Sequence, residues 1–292
     1  MKEKVIAILG LGLIGGSIGL ALTRKCDQRR IILGWDQSQE AMDCAVARGA
    51  IDRTITAWED LATVDVIFLC TPMQSILPLV NEIRPHIKPG AILTDVGSVK
   101  KCLYEALSSP TEDFYYIGGH PMAGREKSGI EAAQADLFVN KRYILIPSAH
   151  VPIEAVALLK GLITDLAADI SFMAPDSHDR YAAVISHLPH VAAAGLVNTL
   201  GCYEESEEIL NLAGGGFRDT TRIASSNAIM WTDICLTNKA EIITSIKKYQ
   251  LVLDQLIDSI EQEEETSIKE FFAAAKQRRD RLLDWCDTKK SI

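Results

Sequence analysis

Hydrophobic and polar positions change rhythm about halfway along the chain. Up to residue 147, short apolar runs rich in β-branched residues alternate with amphipathic stretches. The runs predict strands over residues 4–9, 31–35, 65–70, 91–95, 115–118 and 142–147. Between them, residues 15–24, 39–47, 75–87 and 99–107 carry apolar positions at helical spacing. Lys88-Pro89-Gly90 marks a turn before the fourth strand. Alternation of this kind predicts a parallel, doubly wound α/β sheet.

After residues 147–152 the pattern becomes helical. One more strand-like piece, residues 169–173, closes at Ala174-Pro175-Asp176. Helical patterns then cover residues 177–201, 206–212, 219–224, 228–260 and 263–287, and Pro189 should kink the first of them. A helix as long as 228–260 cannot bury its apolar stripe alone. The expected organisation is therefore an α/β domain over residues 1–150 and an all-α domain over 151–292, with a homodimer built through the long helices.

Composition narrows the function. At 292 residues the chain exceeds one ordinary core. Its net charge of −9 and pI near 5.2 argue against a nucleic-acid partner. The acid excess also gives no long-range attraction for an anionic metabolite, so a carboxylate substrate must be held by a few local arginines. Apolar runs such as residues 64–70 stop well short of a membrane span, and no apolar leader precedes the first strand, so no membrane association or signal peptide is expected. Seven cysteines, without a CxxC pair, fit free thiols in a reducing cytoplasm and no metal site.

Gly10-Leu11-Gly12-Leu13-Ile14-Gly15 reads GxGxxG between the first strand and the first helix, the context that gives this motif meaning. Gly10 permits the tight turn, Gly12 lets a pyrophosphate approach the backbone, and Gly15 lets the helix pack on the sheet. Asp36 ends the second strand, where an acid accepts both hydroxyls of an adenosine ribose. Its charge repels a 2′-phosphate, which favours NAD over NADP. Thr71, Pro72, Ser98 and Lys100 fall after the third and fourth strands, at the carboxyl edge where ligands of such sheets bind. Ser98 suits a helix N-cap equally well.

Gly118-Gly119-His120-Pro121 places a histidine at the same edge. A neutral imidazole there can take a proton from an alcohol while a hydride leaves the same carbon. His187 and His190 lie three apart in Ser186-His187-Leu188-Pro189-His190, too few ligands for a metal and suited to a polar, substrate-facing helix. Arg222 follows three glycines and can fork onto a carboxylate or pair with Asp219.

Taken together and in this order, GLGLIGGS, FLCTP, TDVGSVK, GGHPMAGREKSG, SHLPH and GGGFRDTTRIA resemble the prephenate and arogenate dehydrogenases of tyrosine biosynthesis, from Val5 to about Leu256. The resemblance implies a Rossmann domain, a helical dimerisation domain and an active site between them. It implies NAD(P)-dependent oxidation of the C4 carbinol of prephenate, coupled to loss of the ring carboxylate as carbon dioxide. By motif, His120 is the catalytic base and Ser98 supports it, Arg222 binds a substrate carboxylate, and His190 contacts the pyruvyl side chain. Glu126 matches an acid at the pocket entrance, and Trp231 an aromatic that in relatives reaches the pocket from the partner subunit. Arogenate enzymes tend to be apolar where this chain has His190, which favours prephenate. Relatives with an ACT-type regulatory domain carry it near the C-terminus; here residues 267–287 read as a charged helix, so tyrosine inhibition is expected to act at the active site.

Two other readings make distinct predictions. A β-hydroxyacid dehydrogenase or imine reductase would depend on Lys239 or Lys247 instead of His120. A non-catalytic dinucleotide sensor would bind NAD without turnover.

Overall fold

A computed structural model describes residues 3–24, 30–110, 113–125 and 127–290, with side chains described as far as Leu283. Among these residues eight strands form one sheet: β1 (Lys4–Leu9), β2 (Arg30–Trp35), β3 (Arg53–Thr54), β4 (Val66–Leu69), β5 (Ala91–Asp95), β6 (Phe114–Pro121), β7 (Arg142–Pro147) and β8 (Asp169–Phe172). Their order is β3-β2-β1-β4-β5-β6-β7-β8. The helices α1 (Leu13–Thr23), α2 (Gln39–Ala47), α3 (Met73–Ile83), α4 (Lys101–Leu107) and α5 (Ile153–Asp165) accompany it.

The strands from β1 to β6 are parallel, and all but the short edge strand β3 are largely buried on both faces. Successive side chains of β1 point opposite ways. Ile6 and Ile8 therefore join a core with Ile18 and Leu22 of α1, whereas Ala7 and Leu9 join a second core with Ile76 and Val80 of α3. The chain passes from β1 to β2 and β3 on one side, then crosses to β4 on the other. That reversal opens a crevice at the carboxyl ends of β1 and β4, where a ligand can enter.

One part of the sheet departs from the parallel expectation. β7 runs antiparallel to β6, with His120 opposite Ile144. Among the described residues of the connection over 122–141 there is a 3-10 turn, Ile130–Ala132, and no crossover helix to bring the chain back to the starting edge. α5 then provides a crossover, and β8 pairs parallel to β7. The sheet thus takes in β8, which with its crossover α5 follows residue 150 in the chain.

The remaining elements are α6 (Pro175–Ala182), α7 (Leu188–Asn198), α8 (Ser206–Asn211), α9 (Gly215–Thr221), α10 (Ala228–Thr237), α11 (Lys239–Glu261) and α12 (Glu265–Lys290). Two predicted helices are broken. Pro189 stands in the first turn of α7, and a five-residue π turn, Ala183–His187, precedes it. Proline donates no N–H and its ring crowds the carbonyl four residues back, and the wider turn accommodates that. The pattern over 228–260 breaks at Asn238, between α10 and α11, where the buried side-chain amide donates to the Asp179 carbonyl of α6.

Pro175–Cys202 is the one described stretch long and apolar enough to cross a membrane by length and composition, with a hydropathy of 1.2 and 17% of that window buried. The run-by-run reading missed it because the apolar residues are spread along a helical path that also carries His178, Asp179, Arg180, His187 and His190. Two compact units divide the chain, Met1–Lys239 and Ala240–Ile292. Every residue of the site below belongs to the first.

Candidate active site

The glycine turn after β1 is closed on one side and open on the other. Gly10 has φ +103°, and a Cβ there would lie 2.6 Å from the Cys70 carbonyl carbon and 2.7 Å from Thr71 N. A Cβ on Gly15 would lie 2.0 Å from the Gly10 oxygen. Gly12 is different, because nothing lies within 4 Å of the corresponding position. Gly12 is also the N-cap of α1, and no side chain caps it. The positive end of α1 is thus uncapped by any side chain beside an open Gly12, a ready anion site for the first amides of the helix.

Asp36 sits against the same turn. Its Oδ2 accepts the Leu11 N–H at 2.7 Å and its Oδ1 accepts the Ser38 N–H at 2.9 Å. The carboxylate is held in place with lone pairs left for a diol. Thr71 and Pro72 follow β4; the Thr71 hydroxyl is buried without a hydrogen-bond partner, and Pro72 starts α3. The turn, the acid and the orphaned hydroxyl fit a dinucleotide, its pyrophosphate over Gly12 and its ribose at Asp36.

His120 stands near the end of β6 and is 8% exposed, buried but not sealed. A buried ion pair anchors the backbone just before it. Lys100 pairs with Asp95 at the end of β5, and its Nζ donates to the Gly119 carbonyl at 2.7 Å. Asp95 also accepts from Tyr116 Oη at 2.9 Å, Gly97 N at 2.8 Å and Gly119 N at 3.2 Å. Burial and the Asp95 charge hold the Tyr116 hydroxyl well above its usual range, so it remains a donor. Removing one partner of such a pair leaves a buried charge uncompensated, at a cost of about 3–5 kcal/mol.

On its other side His120 meets α6. Its Nδ1 lies 2.8 Å from Nε2 of His178, and His178 Nδ1 lies 2.7 Å from Asp179 Oδ1. Asp179 also accepts the backbone N–H groups of Lys100, at 2.7 Å, and Lys101, at 2.9 Å. It therefore caps α4, the duty that the sequence offers to Ser98. Burial, then the nearby His178, Lys100 and His187, push the His120 pKa well below the ordinary histidine value. The ring is neutral at pH 7 and able to accept a proton.

A second cluster flanks the first. Asn238 Nδ2 donates to the Asp179 carbonyl at 2.9 Å and lies 3.2 Å from His187 Nδ1. Burial lowers the His187 pKa to about 4, although Asp179 acts in the opposite sense. His190 lies on α7, and its Nδ1 donates to the Ser186 carbonyl at 2.9 Å. With Nδ1 so engaged, Nε2 of the neutral ring is an acceptor, and it donates only when the ring is protonated. Trp231 stacks on His190 with ring centroids 4.1 Å apart and 30° between planes. Within this chain Trp231 meets His190 because the residue 222–225 turn packs on α7 and leads into α10.

Ser98 is half-buried in the segment between β5 and α4, two residues from Lys100. Arg222 is exposed at the junction of α9 and the turn that packs on α7. Glu126 lies outside the described residues. Sequence reasoning missed Asp95, His178, Asp179 and Asn238. The available signals were a His-Asp dipeptide one turn into a proline-started helix, and a lone asparagine interrupting an apolar pattern.

Comparison with known proteins gives this geometry a family context. Residues 18–172 match the model for the prephenate dehydrogenase nucleotide-binding domain, and residues 174–274 match its dimerization domain. The chain is 38% identical over 289 residues to the prephenate dehydrogenase of Bacillus subtilis, covering 97% of this chain and 76% of that one. It superimposes with a TM-score of 0.89 on a prephenate dehydrogenase from A. aeolicus in complex with hydroxyphenyl propionate and NAD+, at 33% identity over 97% of this chain and 99% of that one. Synechocystis arogenate dehydrogenase gives a TM-score of 0.82 at 33% identity, over 95% and 99%.

Proposed function

This chain belongs to the prephenate dehydrogenase family, and on that premise we propose that it is an NAD-dependent prephenate dehydrogenase, forming 4-hydroxyphenylpyruvate and carbon dioxide. The carrying observation is His120: a buried, neutral imidazole at the carboxyl edge of a dinucleotide-binding sheet.

Bound NAD supplies the two-electron acceptor. Gly10, Gly12, Leu13, Ile14, Gly15, Asp36, Thr71 and Pro72 would hold it. His120 accepts the proton of the C4 hydroxyl at Nε2, since its Nδ1 is engaged by His178. Ser98 adds a hydroxyl to the same oxygen. Arg222 forks onto a substrate carboxylate, the local cation that a chain of net charge −9 requires. His190 meets the side-chain end of the substrate, with Trp231 behind it. Loss of carbon dioxide leaves its bonding electrons in the ring, and aromatisation drives the reaction.

We further infer a cytoplasmic homodimer. Tyr181, Val184, Ile185 and Leu196 are exposed on α6, the π turn and α7, within the region matched to a dimerization domain, and a second copy would cover them. The same partner accounts for the sparse burial of 175–202.

One observation favours a second reading, use of arogenate. The hydrogen bond from His190 Nδ1 to Ser186 leaves a neutral Nε2 that can accept from an ammonium. Initial rates of NADH or NADPH formation with prephenate or arogenate, each with NAD or NADP, test the proposal. Fast turnover with prephenate and NAD supports it. Turnover with arogenate alone replaces the substrate, and no turnover in any mixture with NAD still bound overturns the enzyme reading.

A further inference from the structure

We propose that His178 and Asp179 are positioning residues that select the tautomer of His120, leaving its Nε2 lone pair toward the substrate. The inference rests on His120 being the base. It begins at Asp179, where the hydrogen-bond roles are forced. Its oxygens accept the Lys100 and Lys101 amides, which can only donate. An oxygen that accepts those bonds also accepts from His178 Nδ1, 2.7 Å away, so that nitrogen carries its proton. Nε2 of a neutral His178 is then an acceptor. His120 Nδ1, 2.8 Å away, must donate to it. One proton is thereby assigned to His120 Nδ1, and Nε2 is left with a lone pair.

The alternative tautomer puts the His120 proton on Nε2, where it cannot accept from an alcohol. It would also set two acceptors, His178 Nε2 and His120 Nδ1, against each other in a buried site, a clash that disfavours it. During reaction the O–H bond of the C4 hydroxyl breaks and its proton joins His120 Nε2. The imidazolium keeps its Nδ1 proton on His178, and His178 keeps its own on Asp179. The Asp179 charge stabilises the cation without taking a proton, the role a buried aspartate fills behind a catalytic histidine.

Asp179 does more than orient a ring. By accepting the first amides of α4 it ties the segment that carries Ser98 and Lys100 to the helix that carries His178. The groups facing His120 are His178 and His187 from α6 and the π turn, and Lys100 from the segment after β5. Asp95 and Asp179 stand behind Lys100 and His178.

The test is Asp179→Asn, read against wild type. An asparagine cannot accept from all three donors: with its amide toward His178 it donates to Nδ1 and drives the His120 proton to the reactive nitrogen, and with its oxygen there it still removes the charge that stabilises the imidazolium. Expected is a kcat loss of roughly 100- to 10,000-fold, with KM changed less than about threefold. A kcat within threefold of wild type overturns the proposal, and so does a loss confined to KM. Because Asp179 also caps α4, wild-type protein supplies an arm independent of folding. With 15N-labelled histidine at about pH 7.5, His120 and His178 should both show the Nδ1-protonated neutral tautomer, His120 being assigned by its absence in His120→Asn. A wild-type His120 protonated at Nε2 overturns the proposal. If wild type turns over neither cyclohexadienyl acid, the functional reading fails, and this spectrum still decides the tautomer.

Discussion

Replacing His120 by asparagine isolates the base from its surroundings. The amide of the shorter side chain sits where the ring's Nδ1 does, so it can still donate to His178 Nε2, which lies 2.8 Å from that imidazole nitrogen in the wild type. The buried network survives, while nothing occupies the Nε2 position. Loss of a general base costs roughly 100- to 10,000-fold in turnover, or about 2.7–5.5 kcal/mol of barrier. Substrate affinity, carried by other residues, should change little. The pH profile makes the claim sharper. Burial first, then the nearby His178, Lys100 and His187, lower the His120 pKa well below the ordinary 6.5. Protonation removes the base, so wild-type kcat/KM should stay level as pH falls through 6.5 and drop only below it. In the variant that acid limb should vanish. The assay is initial NADH formation with prephenate and NAD from about pH 5 to 9. A wild-type limb at or above 6.5, or an unchanged limb in the variant, would refute the reasoning.

Gly12→Ala should fold like wild type, since its methyl meets nothing within 4 Å, yet weaken NAD at least roughly tenfold by calorimetry, because the methyl blocks the pyrophosphate. Gly15→Ala should instead lower stability by about 1–3 kcal/mol or more in denaturant melts, its methyl overlapping the Gly10 oxygen at 2.0 Å. His187 has a folded pKa of about 4 against 6.5 unfolded, so the stability it contributes is complete above 6.5 and lost as pH falls toward 4. His187→Gln should therefore remove about 2 kcal/mol of the stability difference between about pH 7.5 and 5, measured by denaturant midpoints. Arg222→Gln should raise the KM for prephenate roughly 10- to 100-fold, the worth of a charge-assisted hydrogen bond at an exposed residue, and leave kcat nearly unchanged; an unchanged KM would remove Arg222 from the site.

The parallel sheet was legible because burial on both faces leaves strands as short continuous apolar runs. β1, β5 and β7 have the predicted bounds for that reason, and α2 has them because Ser38 caps its start. α5 escaped notice because only Leu159, Leu162 and Ile163 are buried, too narrow a stripe to stand out. Asn238 was hidden because its role depends on Asp179 and His187, which stand 59 and 51 positions away.

What the chain determined by itself was local chemistry at the right places: a glycine turn after the first strand, an acid at the end of the second, and a histidine at the end of the strand before the sheet reverses direction. Residue type and spacing suffice for these because each follows from backbone geometry within one or two elements. Tertiary structure alone decided what those residues are able to do. It brought His178 and Asp179 from α6 to the back of His120, closed Lys100 and Asp95 into a buried pair beneath it, and set the Ser186 carbonyl against His190. Protonation state and tautomer depend on desolvation and on partners distant in sequence. A base is therefore made by its fold, even when the histidine is visible in the sequence.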